Sequence, residues 1–419
     1  CDFGDNAEYI DYEKIYLSRF KVLRKAFERF AADDVYDAFV SENGYWLEDY
    51  ALYMAIKDAL GGISWSEWPA ELKDREEAAL NQKREELAGE VAFYKFQQFM
   101  FLKQWKALKA YANEKGIRII GDIPIYVAYD SADVWAHQKL FRLDSKGFPT
   151  CVTGVPPDYF SETGQLWGNP HYAWWEHEKT GFAWWLSRIQ KNLQDVDILR
   201  IDHFRGFSAC WEVAFGAEDA RGGKWASAPG EAFFTLLKEK LGSPLPLIAE
   251  DLGIITDEVA ALRDFAGLPG MRILQFAFGQ EKNNPYLPHC YDKNTVVYTG
   301  THDNDTTNGW YQAATEQEKD HYRRYLNVDG FNAAWDFIRL ALSSPADTAI
   351  LPLQDVLSLG KIGAGGGIRA LGIDHQLVCK GVLVQPGCGG QVVRPAFPVP
   401  GQAVGCALGK GEIFFGFAW

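Results

Sequence analysis

The sequence predicts an α/β protein: a (β/α)8 TIM-type barrel with about six of eight strands present and an N-terminal all-helical insertion subdomain. Three observations carry this. After Gly116, six short and nearly continuous apolar runs recur, each followed by a helical stretch, as in a parallel sheet covered on both faces. Polar and charged residues gather where those runs end, which suits the C-terminal rim of a barrel better than an open sheet. Before Gly116 only helical periods occur.

Taken in chain order, residues 13–30 put Leu17, Phe20, Leu23, Phe27 and Phe30 on one helical face, opposite Arg, Lys and Glu. Residues 47–60 are helical too. Residues 71–113 open on a solvated charge run, Glu71 to Glu90, and continue as an apolar stripe of Phe93, Phe96, Phe99, Leu102, Trp105 and Leu108. Gly116 stops that helix. The six apolar runs are Ile117–Val127, Val196–Phe204, Leu245–Asp251, Met271–Phe278, Thr295–Asp303 and Thr348–Gln354. Trp174-Trp175 and Trp184-Trp185 stand in helical context and are expected to serve packing. This divides the chain into a helical subdomain at 1–112, a partial barrel at 113–360 and a Gly-rich tail at 361–419.

Composition sets outer limits. The 419 residues are 47% hydrophobic and 23% charged, as in a soluble globular protein. No apolar run reaches the roughly 18 residues of a membrane span, so no membrane partner is expected. A formal charge of −14 speaks against nucleic acid, which needs a basic footprint, and leaves neutral sugars open. Seven scattered cysteines without a CxxC pair read as reduced thiols in a cytoplasmic protein, with no zinc site. The 15 Trp, 19 Tyr and 27 Phe mostly fill a core, while some suit the apolar faces of sugars in a carbohydrate cleft.

The chemistry is expected at the strand ends. Three runs end in a carboxylate: Asp202 in LRIDHFRG, Glu250 in LIAEDLG, with Asp251 beside it, and Asp303 in YTGTHDND. Their spacing of about 50 residues, one or two βα units, allows all three to converge on one rim. A single acidic residue there is more often a helix cap or an ion-pair partner. Three of them, two beside His203 and His302 and one two residues after Arg200, match what glycoside chemistry needs: one ionised carboxylate to attack and one protonated to donate. Arg200 is expected to keep the nucleophile ionised, and neighbouring carboxylates to raise the pKa of the acid.

At these residues the sequence resembles the 4-α-glucanotransferase family (amylomaltase, disproportionating enzyme), a relative of the α-amylases. The resemblance runs from about Tyr9 to Leu359. It rests on WLEDYALYMAIKD (46–58), GDIPIYVAYDSADVWA (121–136), GVPPDYFSETGQLWGNP (154–170), RIDHFRGF (200–207), IAEDLG (248–253) and THDND (301–305). It implies Asp202 as nucleophile, Glu250 as acid/base and Asp303 as transition-state stabiliser. Arg200 and His302 match supporting residues, His203 stands in the same substrate-binding set, and Asp122 matches a substrate-contacting aspartate. The implied partners are α-1,4-glucans and maltooligosaccharides, with transfer to a sugar 4-hydroxyl and no cofactor or metal.

Transfer requires that a sugar outcompete water for the covalent intermediate. Residues 154–170 read as a long aromatic loop suited to a lid, or as a surface loop pinned by its own aromatics. As a lid, Asp158, Gln165 and Asn169 would bind hydroxyls while Tyr159, Phe160 and Trp167 stack on glucose. An amylase-like hydrolase and a glucan-binding protein without turnover are the alternatives. Gly363–Gly367 lacks the GK[ST] ending of a phosphate loop, and no GxSxG or HExxH occurs.

Both ends depart from the family. The start at Cys1 predicts that two barrel strands lie upstream. Residues 361–419 hold 14 of the 40 Gly but only 7 charged residues, and lack the family's Arg-Met-Asn-x-Pro-Gly and Gly-Asn-Trp segments. His375–Lys380 can be encoded so that dropping one base reads Ile-Asn-Trp-Cys-Val. Two readings follow: a frame lost near Gly360, giving a tail with no evolved core, or a natural Gly-rich tail.

Overall fold

The computed structural model describes residues 1–4, 11–157, 161–281 and 284–360, with the backbone of 382–384 and 413–416. Helix α1 (Tyr12–Phe27) starts on Asp11, whose carboxylate accepts from the Lys14 N–H at 3.0 Å. Helix α2 (Asp34–Ala59) starts well before the predicted 47, because Asp33 caps it by accepting from Tyr36 N at 2.8 Å. The single helix expected over 71–113 is three: Ala70–Lys73, α3 (Glu77–Glu86) and α4 (Ala88–Glu114). Two backbone departures break it, Arg75 at φ +58° and Leu87 at φ −109°, ψ 19°.

Packing among these helices is aromatic. Phe27 meets Phe93 at 5.5 Å and Phe30, past the end of α1, which stops three residues short of the predicted 30, meets Phe96 at 4.8 Å, so the predicted stripe closes on the α4 stripe. Leu17 and Leu108, at the outer ends of the two stripes, stay about half exposed because contact runs through the stripe centres. Gly116 adopts φ +75°, a left-handed turn open to glycine, and releases the chain from α4 into the first strand.

Six parallel strands follow: β1 (Ile117–Pro124), β2 (Ile198–Asp202), β3 (Leu247–Ala249), β4 (Gly270–Ile273), β5 (Thr295–Tyr298) and β6 (Thr348–Leu351). Each lies inside a predicted run, except that β4 begins one residue early at Gly270, and each ends before its run does, as the residues that follow turn out of the ladder. β1, β2 and β3 pair in that order, as do β4, β5 and β6, and Ala249 N donates to Pro269 O at 3.0 Å across the β3–β4 seam. Backbone segments β7 (Val382–Val384) and β8 (Ile413–Gly416) pair beside β6 and β1, and lie against each other. β8 is parallel to β1, whereas β7 is antiparallel to β6. The expectation of an out-of-frame tail without a core otherwise lies outside the described residues.

Ile120, Ile248, Met271, Ile273, Val296, Tyr298 and Ile350, one or two from each of the six strands except β2, form one buried cluster inside the ring. The β3–β4 seam is locked by Asp251, which is fully enclosed. It accepts from Met271 N at 2.6 Å and pairs with Arg263 at 2.7 Å and Arg272 at 3.3 Å. A side chain at Gly270 would collide with this carboxylate.

Residues 154–170 are not a plain loop. Cys151–Val155 and Gln165–Pro170 form a hairpin in a second, antiparallel sheet with Ala209–Ala214 and Lys224–Ser227. Its strands pass so closely that a side chain at Gly154 would meet the Gln165 carbonyl. Among the paired tryptophans, Trp174 and Trp185 are buried as expected, but Trp175 is 53% exposed. Adjacent residues on a helix point about 100° apart, so one core cannot hold both. Trp184 is half-buried, edge-on to Trp185 and Phe141.

Candidate active site

The register of β1 and β2 sets Asp122 beside Arg200 and Pro124 beside Asp202. Arg200 is buried and forks across both acids. Its Nε and Nη2 donate to Asp122 at 2.9 and 2.8 Å, and Nη2 also donates to Asp202 Oδ1 at 2.8 Å. Burial works against the guanidinium charge, but Asp122 and Asp202 outweigh it and hold the Arg200 pKa above normal. The Asp202 side chain remains 47% exposed and reachable by a ligand.

Asp202 departs from expectation. Its pKa lies above the usual carboxylate range, because burial outweighs Arg200 and the charges of Asp122 and Asp303 add to it. Glu250 follows β3 directly. Its Oε2 accepts from His203 N at 2.6 Å and its Oε1 from Leu252 N at 3.2 Å, which ties it to the residue after Asp202. Its pKa is pushed up to about 7, chiefly by burial. The Asp202 charge adds to that shift, while Arg200 and the two N–H groups only partly offset it. The expected direction is right; burial, more than a neighbouring carboxylate, is the main cause.

Asp303 lies five residues past β5, on the turn after Gly300, and its side chain is 76% exposed. His302 Nε2 lies 3.3 Å from its Oδ1, and Asp303 N donates to Thr301 Oγ1 at 3.2 Å. This turn is held from below by Asp355, which sequence reasoning did not single out. Asp355 is buried and accepts from Thr299 Oγ1 at 2.5 Å, Thr307 N at 2.8 Å and Thr307 Oγ1 at 2.7 Å, so it clamps both ends of the segment carrying His302 and Asp303. No periodicity links position 355 to 303; only the fold brings them together. Tyr298, at the end of β5, was also missed. It is buried near Arg200, Asp122 and Glu250, and its hydroxyl pKa is raised, first by burial.

The hairpin reaches the same rim. Trp167 stands edge-on to His203 at 4.7 Å and 6.1 Å from Tyr126. His203 takes a left-handed backbone, φ +53°, and its pKa falls to about 3, mainly through burial and secondly through Arg205, so its ring is neutral. Asn169 is committed to the scaffold, its Nδ2 donating to Val127 O at 2.9 Å. Gln165 is exposed and accepts from Trp167 Nε1 at 3.1 Å. Asp158, Tyr159 and Phe160 lie outside the described residues. Asp251, adjacent to Glu250, belongs to the β3–β4 seam. Among the described residues no group of three or more His, Cys, Asp or Glu is placed to hold a metal ion, and no helix is long and apolar enough to cross a membrane.

Residues 3–363 match the Glyco_hydro_77 family, described as 4-alpha-glucanotransferase. The 4-alpha-glucanotransferase of Thermus thermophilus is 50% identical over 365 residues, covering 84% of this chain and 73% of that one. That of Clostridium butyricum is 48% identical over 366 residues, covering 86% and 74%. The structure of amylomaltase from Streptococcus agalactiae in complex with acarbose superposes with a TM-score of 0.82 at 40% identity, covering 86% of this chain and 74% of that one. Matched from residue 3 to residue 363, with these carboxylates on one barrel rim, the chain belongs to the 4-alpha-glucanotransferase family.

Proposed function

We propose that the chain moves a segment of a 1,4-α-glucan onto the 4-hydroxyl of an acceptor glucan or glucose, by a retaining double displacement. The observation that carries this is the pairing of Asp202, held by Arg200, with Glu250, whose pKa near 7 suits a carboxyl that alternates between acid and base. Asp202 attacks the anomeric carbon as Glu250 protonates the departing oxygen. Asp303 faces the positive charge that builds on the sugar ring, and His302 orients it. Glu250 then takes the proton of the incoming 4-hydroxyl and the bond to Asp202 breaks.

Asp122 holds Arg200 in place and, with His203 and Trp167, lines the rim that receives glucose units. Residues 1–112 serve as a helical subdomain and 113–360 as the catalytic barrel. Maltodextrins, starch and glycogen fit as donors, since each offers the same linkage. Seven scattered cysteines without a CxxC pair fit a cytoplasmic setting, and the net charge of −14 supports a partner other than nucleic acid.

Incubation with maltotriose tests the reading. Glucose with a ladder of longer maltodextrins is the expected result; glucose and maltose alone would mean hydrolysis, and binding without products would mean a glucan-binding protein.

A further inference from the structure

A cavity of about 840 Å³, lined by none of the active-site carboxylates, lies between α2 and the helix Ala183–Asp195. Its wall combines flat rings and neutral hydrogen-bonding groups with the charged side chains of Asp74, Arg75, Asp133, Lys139, Arg188 and Lys191. Trp46 and Trp184 are both half-buried and both held in place. Trp46 Nε1 donates to Asn43 Oδ1 at 3.1 Å, and Trp184 stands edge-on to Trp185 at 5.4 Å. Gln138 spends its amide N–H on Lys73 O at 2.7 Å, and Asn192 spends its own on Arg188 O at 2.9 Å. Each keeps a side-chain oxygen to accept from a hydroxyl. The wall's charges are partly matched internally: Arg75 pairs with Asp49 at 2.6 Å, and Lys191 with Asp195. One buried donor of the wall residues, Arg75 Nη1, has no hydrogen-bond partner in the protein, and Arg75 takes a left-handed backbone.

Rigid rings beside neutral acceptors suit a ligand with apolar faces and hydroxyl edges, and the volume accommodates more than one sugar ring. The cavity is tied to the active site by Arg188. Its guanidinium lies 5.3 Å from the Trp184 ring and donates to Pro124 O at 2.8 Å, and Pro124 pairs in register with Asp202.

We propose that this cavity is a second, non-catalytic binding site for a 1,4-α-glucan chain, with Trp46 and Trp184 as its stacking surfaces. The choice of ligand rests on the function proposed above. A glucan long enough to occupy both places would be held near the barrel rim between turnovers, raising its effective concentration there.

The test is calorimetric titration of maltoheptaose into the full chain carrying Asp202→Asn, which does not consume the ligand. Two classes of site are expected. Adding Trp46→Ala should weaken one class by about tenfold or more, the loss of one well-packed aromatic contact, and leave the other unchanged. Ala183→Glu, at an exposed edge of the cavity in the first turn of its helix, adds bulk without disturbing the Trp184 packing and should do the same. In otherwise unchanged protein, both substitutions should preserve the maltotriose ladder while raising KM for amylose. A single class of site in every form, or a second class that ignores both substitutions, would overturn the proposal with the ladder intact. Absence of the ladder in unsubstituted protein would instead overturn the functional reading.

Discussion

Arg200 is the hub of the proposed chemistry, because one guanidinium holds two carboxylates at fixed places on adjacent strands. Asp202→Asn keeps the shape and a partial hydrogen bond but removes the proposed nucleophile. Turnover of maltotriose is expected to fall by several orders of magnitude with glucan binding preserved; retention of more than about a hundredth of the rate would reassign the residue. Glu250 makes a pH prediction. A proton donor with a pKa of about 7 sets the alkaline limb of kcat/KM there, while Asp202, raised above the ordinary range, sets the acid limb. The two interact, so the limbs describe the pair. Glu250→Gln should abolish the alkaline limb and lose far more rate on maltotriose than on an α-glucosyl fluoride, which needs no proton to depart. The linkage sign is also fixed. The folded pKa of about 7 exceeds the ordinary 4.5, so this group's stabilisation is complete below about pH 4.5 and lost by about pH 7. Glu250→Gln should therefore melt a few degrees above the parent at pH 8 and lose that advantage near pH 4.5, read by calorimetry.

At the scale of elements, two segments present side chains to the rim in different ways. The hairpin Cys151–Val155/Gln165–Pro170 brings Trp167 over His203, where it can shield the intermediate from water. Trp167→Ala should raise hydrolysis relative to transfer, measured as reducing ends released per maltodextrin formed; an unchanged ratio would remove it as the water barrier. The turn bearing Asp303 is fixed from beneath by Asp355. Asp355→Ala leaves Thr299 and Thr307 without their buried acceptor, at a cost of about 2–4 kcal/mol in stability. It should also lower kcat more than it raises KM, because Asp303 would act on the transition state; an equal effect on both would give Asp355 a purely structural role. The three carboxylates could be read because each closes an apolar run. Asp355 could not, since its partners lie about 50 residues away with no shared period. The hairpin was hidden for another reason: its Gly, Pro and aromatic composition shows no alternation, and its pairing depends on close approach at Gly154.

For the molecule as a whole, the apolar runs were enough to find β1 to β6, because a strand covered on both faces has nowhere to place polar residues until it ends. Helix boundaries were read less well, since caps such as Asp33 and breaks such as Arg75 and Leu87 leave little trace in hydrophobic period. The seam between β3 and β4 relies on the enclosed Asp251 and not on a run of ladder bonds. Gly270→Ala should displace that carboxylate and lower the midpoint of chemical denaturation by more than an exposed Gly→Ala change at Gly222, which has open space around it. Equal effects at the two positions would show that the seam does not depend on Asp251.

The shared guanidinium has one more consequence, for the electrical balance of the reaction. In the double displacement proposed above, Asp202 is an anion and Glu250 holds its proton before attack; after it, Asp202 is esterified and neutral while Glu250 has become the anion. The pocket's total charge is the same on both sides of the step, and a single negative charge has moved from one wall to the other. Since the charge of Asp202 is one cause of the high pKa of Glu250, its neutralisation removes that repulsion as the proton departs. Arg200, still gripped by Asp122, is the fixed cation past which this charge moves, so the surrounding dipoles need little rearrangement between the two halves of the cycle.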